Sequence, residues 1–69
     1  MNSKAYYAGQ QAASEKYLLT GHLLDMHAEE QQATQERDRC QFDHEIWYWN
    51  GQLDYIREFQ AAKQARRAL

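Results

Sequence analysis

Four side chains of this 69-residue chain are of the kind that ligate transition metals: His22, His27, Cys40 and His44. Cys40 and His44 stand four apart, so on one helix they would share a face. Structural zinc sites draw on closely spaced C-x2-C and H-x3-H pairs. A C-x3-H pair with two remote histidines falls short of that set, and His27 with Glu29 and Glu30 makes no H-E-x-x-H. Cys40 reads instead as a small, partly buried residue near a turn, and the histidines as surface residues. The carboxylates cluster in the most solvated segment, where nothing would shift their pKa values. There is no G-x-S-x-G, P-loop or glycine-rich phosphate cradle, and a pair of helices encloses no deep pocket. The sequence therefore assigns no catalytic residue, no metal and no cofactor, and the chain is not read as an enzyme.

Binding chemistry is better represented. The stretch Phe42 to Phe59, FDHEIWYWNGQLDYIREF, holds both tryptophans, both phenylalanines and two of the five tyrosines. At about 100° per residue, Phe42, Ile46, Trp49, Leu53 and Ile56 form one helical stripe. Tyr48, Tyr55, Phe59 and Ala62 form a second, and Trp47 lies beyond it, next to Gly51. One neighbouring helix covers one face only. The second face is either internal core, covered by a further helix, or a surface for another subunit or a foreign partner. Tyr and Trp are frequent interface anchors, so Trp47, Tyr48, Tyr55 and Phe59 are the candidate partner-binding residues, with Ile46, Trp49, Leu53 and Ile56 as core.

The elements that position these residues are helical. The chain has no proline, three glycines, no valine, and only two threonines and two isoleucines; a sheet has little to be built from, while Ala, Gln, Glu, Leu and Arg favour helix. The expected class is all-α: a two-helix, or three-helix, antiparallel hairpin over one small domain, 1–69. Asn2 or Ser3 caps a first helix over about 3–32, with Ala5, Ala8, Ala12, Leu19, Leu23 and Met26 on one side and Tyr6, Ala13, Tyr17 and Leu24 on the next. Its early part is small, so aromatics such as Trp49 can sit there. Thr20-Gly21-His22 is its weakest point. The in-phase Leu23 and Leu24 favour continuation or a mild kink, and the alternative is a short turn with Thr20 or Asp25 capping a second helix. The segment EEQQATQERD has almost no apolar face, so a polar turn is placed within 33–42, with Thr34 or Asp38 as caps and Asp38 and Gln41 spaced like a capping box. The last helix runs over about 43–67.

Sixty-nine residues with a mean hydropathy of −0.99 make a marginal domain alone, and two helices cannot enclose nine aromatics, so a homodimer or completion by a partner is expected. A single cysteine, Cys40, allows no internal disulfide and suits a reducing cytoplasm. The first residues lack the apolar core of a signal peptide, and no apolar run could span a membrane. Net charge is −2. The acidic residues gather between 18 and 45, and Lys4, Lys16, Lys63, Arg66 and Arg67 lie toward the ends. A hairpin would set an acidic tip against a basic pole. Lys63, Arg66 and Arg67 also suit a helix C-terminus, and with Arg57, Tyr55 and Phe59 they form the only candidate nucleic-acid stripe.

Two segments echo each other: Tyr6-Tyr7-Ala8-Gly9-Gln10 and Tyr48-Trp49-Asn50-Gly51-Gln52. Each presents an aromatic beside a glycine notch, so that two helices can cross closely. The pair resembles ribosome modulation factor and its small relatives, many in phages and prophages, in which a Tyr-x-x-Gly and a Trp-x-x-Gly open the two helices. Tyr6, Ala8 and Gly9 match the first element. Tyr48 and Gly51 match the second, with Tyr in place of Trp. The glycines here stand farther apart, across an acidic insert, and the family's Asn-Pro is missing. The resemblance implies ribosome or RNA association, whereas such binding calls for a basic chain.

The leading expectation is a small helical protein-binding module, a phage or mobile-element accessory protein that inhibits or modulates a host protein by steric masking in the bacterial cytoplasm, with ribosome association as the alternative. Replacing Trp49 by Ala is expected to remove a core side chain at about 3–5 kcal/mol, and Trp47→Ala to leave helicity intact. Thermal melts followed by circular dichroism rank the two.

Overall fold

A computed structural model shows an all-helical chain in which three helices pack together. It describes residues 2–68, with side chains described for residues 2–65. Helix α1 spans Ser3–Tyr17, α2 Met26–Arg39 and α3 Asp43–Ala68, with a single 3-10 turn at Gly21–Leu23 between α1 and α2.

Asn2 caps α1, its Oδ1 accepting from the Ala5 amide at 3.1 Å. The first helix does not continue to residue 32. It stops at Tyr17, and three local features explain why. The Thr20 hydroxyl donates to the Lys16 carbonyl at 2.7 Å, a bond that competes with the helical ladder. Gly21 adds its conformational cost. Asp25 then caps α2, its Oδ1 accepting from the amides of His27 at 3.1 Å and Ala28 at 3.3 Å. Leu24, between the 3-10 turn and Asp25, is extended (φ −104°, ψ 154°). A tertiary contact reinforces the break: a Cβ on Gly21 would lie 2.7 Å from the tip of the Phe59 ring.

The polar turn expected over 33–42 narrows to the three residues between Arg39 and Asp43. Thr34 and Asp38 cap nothing and lie inside α2, where the Thr34 hydroxyl donates to the Glu30 carbonyl at 2.9 Å. EEQQATQERD is helical without an apolar face because its residues favour helix and its anchors are few but well placed. Met26 and Ala33, seven apart, are buried. Glu30 accepts from Arg57 Nε at 3.1 Å and Gln60 Nε2 at 3.0 Å, and Arg37 donates to Asn50 at 3.2 Å. Positions on α2 thus fall as those on α3 rise. Along α1 they rise together with α3, from Ala5 beside Glu45 to Leu18 beside Phe59. The pairing of a first and a last helix as a two-helix hairpin is therefore replaced by three helices, with α2 as the return leg. The basic ends do not meet at one pole, since Lys4 lies at the start of α3 and Lys63 near its end.

The core consists of Ala13, Tyr17, Met26, Ala33, Leu53 and Ile56, with Trp49, Tyr55 and Phe59 packed against it. Of the expected core stripe on α3, Leu53 and Ile56 are fully buried and Ile46 is partly buried. Phe42, which precedes the helix, is 61% exposed and stacks on His44.

Helices α1 and α3 share the most extensive contact, and two glycines allow it. A Cβ on Gly9 would collide with the Tyr48 carbonyl oxygen and lie 2.8 Å from its carbon, and a Cβ on Gly51 would collide with the Tyr6 carbonyl oxygen and lie 3.0 Å from the Gln10 amide nitrogen. The contact is reciprocal: the Tyr of each Tyr-x-x-Gly segment lies on the Gly of the other. Neither glycine has a positive φ, so closeness and not backbone conformation demands them. Gly9→Ala and Gly51→Ala are each expected to cost about 3 kcal/mol, the upper range for overpacking, although alanine is the better helix former. Gly21→Ala meets only a side chain that can shift, and is expected to cost less. Urea midpoints rank the three, and equal midpoints for Gly9→Ala and wild type would refute the crossing.

Candidate protein interface

The reciprocal crossing carries an aromatic cluster at its side. The Tyr6 hydroxyl donates to Asp54 Oδ2 at 2.5 Å and accepts from Gln10 Nε2 at 3.1 Å. The Tyr6 ring lies edge-on to Tyr7 at 5.5 Å and to Trp47 at 6.5 Å. Tyr48 and Trp49 lie edge-on to each other at 5.8 Å. On the other flank of the crossing, Tyr48 and Trp49 face Ala5 and Ala8 across an open groove of about 390 Å3, with Lys4 and Glu45 among its other lining residues. The small residues of α1 create this groove, because no large side chain fills the space beside the rings.

A second cleft, about 380 Å3, lies farther along α3 between Leu18, His22, Tyr55, Phe59, Ala62 and Lys63. The four candidate contact residues are thus not brought to one face. Trp47 is partly buried against Tyr6, Tyr48 belongs to the first groove, and Tyr55 and Phe59 belong to the second cleft. Between Tyr48 and Phe59 the helix rises roughly 16 Å.

The break after α1 turns out Leu19 and Leu23, which a continuous helix would have placed on its apolar arc, and Leu18 beside them is exposed as well. Leu18, Leu19 and Leu23 are 67%, 79% and 75% exposed. Their signal in the sequence was the Leu-Leu doublets on both sides of Thr20-Gly21, read with Asp25 as a cap. Among the described residues, no three His, Cys, Asp or Glu side chains come together to hold a metal. Cys40 and His44 share no helical face, since Cys40 follows α2 and His44 belongs to α3. The Cys40 Sγ donates to the Glu36 carbonyl at 3.1 Å. Desolvation, and then the neighbouring Glu45 carboxylate, push its thiol above the ordinary value and away from the nucleophilic thiolate.

Of the candidate basic stripe, Arg57 is held by Glu30, and the side chains of Arg66 and Arg67 lie outside the described residues. Arg57 and then Gln60, by their hydrogen bonds, hold the Glu30 carboxyl below its ordinary range. No described helix is long and apolar enough to cross a membrane. Comparison with family models, curated proteins and solved structures finds no match.

The Tyr6–Asp54 bond has a pH signature. The carboxylate that accepts the phenol proton, aided by desolvation and by the charges of Asp54 and Glu58, pushes the Tyr6 pKa from 10.0 to about 12. The folded state thus favours the neutral phenol. That contribution to stability is complete below pH 10 and is lost as the pH rises toward about 12. Spectrophotometric titration is expected to find one tyrosine ionising last, near pH 12, and Tyr6→Phe to delete that component and cost about 1–2 kcal/mol at neutral pH.

Proposed function

We propose that this chain is a small helical protein-binding module that inhibits or modulates one host protein by covering a functional surface of it, acting as a homodimer in the cytoplasm of a bacterial host. Size, composition and the Tyr-x-x-Gly resemblance suit a phage or mobile-element accessory protein. The observation that carries the reading is the open groove of about 390 Å3 on Ala5, Ala8, Tyr48 and Trp49, which no segment of the described chain fills. Grooves of this kind accept the apolar face of an amphipathic helix, with anchors spaced by three or four residues. Lys4 and Glu45 offer opposite charges to the polar rim of such a partner. The mechanism is steric: docking in the groove covers the partner's surface.

Ribosome or RNA association, the alternative, rests on the resemblance alone. Arg57 is engaged by Glu30 and Lys16 approaches Glu29 at 3.8 Å, which leaves less cationic surface for phosphate.

The test is affinity capture from bacterial lysate with wild type, Trp47→Ala and Ala8→Glu side by side. Ala8 is exposed on α1, so the glutamate enters the groove without touching the core. One protein captured by wild type and reduced at least about tenfold by Ala8→Glu, with unchanged circular dichroism, is the expected outcome. Equal capture of ribosomal proteins by all three, weakening steeply with salt, would replace this reading with the alternative.

A further inference from the structure

Beside Tyr48 and Trp49 all three helices border a further, more polar cleft of about 220 Å3. Helix α1 lines it with Lys16 and Tyr17, α2 with Glu29 and Gln32, and α3 with Trp49 and Gln52. Tyr48 and Trp49 also line the apolar groove, so the two spaces share a wall. Two polar side chains are withdrawn from solvent here: Tyr17 is 2% exposed and Gln52 9%. Among the described residues, neither the Tyr17 hydroxyl nor the Gln52 carboxamide has a hydrogen-bond partner. No unbonded side-chain nitrogen or oxygen is sealed inside the described part of the molecule, so both groups open onto the cleft that they line. Withdrawing a polar group from water without a partner in the fold costs stability. Phenylalanine and methionine would fill the same space without that cost.

We infer that this cleft is a recognition pocket for an uncharged carboxamide side chain, Asn or Gln, of the partner helix that docks in the apolar groove. The inference rests on the groove reading above and names the polar contact that accompanies it. Three properties determine the chemistry. First, the Gln52 amide offers both donors and an acceptor, and the Tyr17 hydroxyl can act as either. The complementary group must therefore carry both functions, as a carboxamide does. Second, Lys16 and Glu29 approach each other at 3.8 Å. Their charges offset, which leaves no net charge to select an ionised group. Third, the peptide groups of a docked helix bond to one another, so the complement comes from a side chain. The size agrees. At about 220 Å3, the cleft falls below the roughly 300 Å3 at which pockets for whole small molecules begin, and it suits one side chain. Because the cleft and the groove share Tyr48 and Trp49, a helix with its apolar face in the groove can present a flanking residue to Gln52 and Tyr17.

The test is a display library of amphipathic helices, randomised at the positions that flank the apolar anchors. It is selected against wild type and counter-screened on Ala8→Glu, Gln52→Met and Tyr17→Phe. Binders of wild type that Ala8→Glu blocks are expected to carry Asn or Gln at one fixed spacing from the anchors. Each is expected to lose about tenfold in affinity on Gln52→Met and on Tyr17→Phe, and as much when its own carboxamide is replaced by leucine. The urea midpoint of Gln52→Met is expected at or above that of wild type, since the amide has no bond within the fold to lose. Groove binders without a carboxamide preference, or bound equally by Gln52→Met, would overturn the pocket and leave the groove standing. A midpoint well below wild type would show that the fold itself uses the Gln52 amide, and would overturn the pocket as well. A library that yields no binder sensitive to Ala8→Glu would overturn the groove and the pocket together.

Discussion

The α1–α3 contact is an approach of backbone to backbone. At the α1–α3 crossing, the carbonyl of Tyr6 lies where Gly51 would carry a Cβ, and the carbonyl of Tyr48 lies where Gly9 would carry one. The packing on either side of the crossing follows from this distance. It brings the Tyr6 hydroxyl within reach of Asp54, sets Trp47 edge-on to Tyr6, and leaves Tyr48 and Trp49 flanking a helix whose own side chains are too small to cover them. A chain with six buried apolar side chains among the described residues gains much of its order from such contact, because dispersion between closely apposed atoms grows with their number.

The helix break at Gly21 has the opposite character. It costs helical hydrogen bonds and exposes leucines, yet it returns the chain as α2, which closes the far side of α3. Met26 and Ala33 contribute burial there, and Glu30 and Arg37 supply polar ties to α3. Those ties lie at partly exposed positions, where an ion pair contributes little. Their role is to set the register of a helix that has few apolar residues to set it.

The two apolar surfaces thus have distinct origins. The groove beside Tyr48 and Trp49 exists because α1 presents only the small side chains of Ala5 and Ala8 there. The leucine corner exists because α1 ends before its apolar arc does. Both are by-products of how α1 is built, and they lie at different places along α3.

Several features were legible in the residues alone. The absence of proline and valine and the abundance of good helix formers determine an all-α chain. A cap at Asn2 or Ser3, the start of the last helix at about Asp43, the burial of Leu53 and Ile56 and the paired Tyr-x-x-Gly notches could be read from type and spacing, because caps, periodicity and the missing Cβ act locally. The division of the first helical stretch could not be decided that way. Thr20, Gly21 and Asp25 announce a possible stop, and the phase of Leu23, Leu24 and Met26 announces continuation. Local energies near 1 kcal/mol favour each side. The Phe59 ring on Gly21 and the burial of Met26 against α3 tip that balance, and they are contacts between residues distant in the chain. The separation of Trp47 and Tyr48 from Tyr55 and Phe59 was hidden for the same reason. A helical wheel gives the direction in which a side chain points, but only the placement of α1 and α2 around α3 decides what lies there.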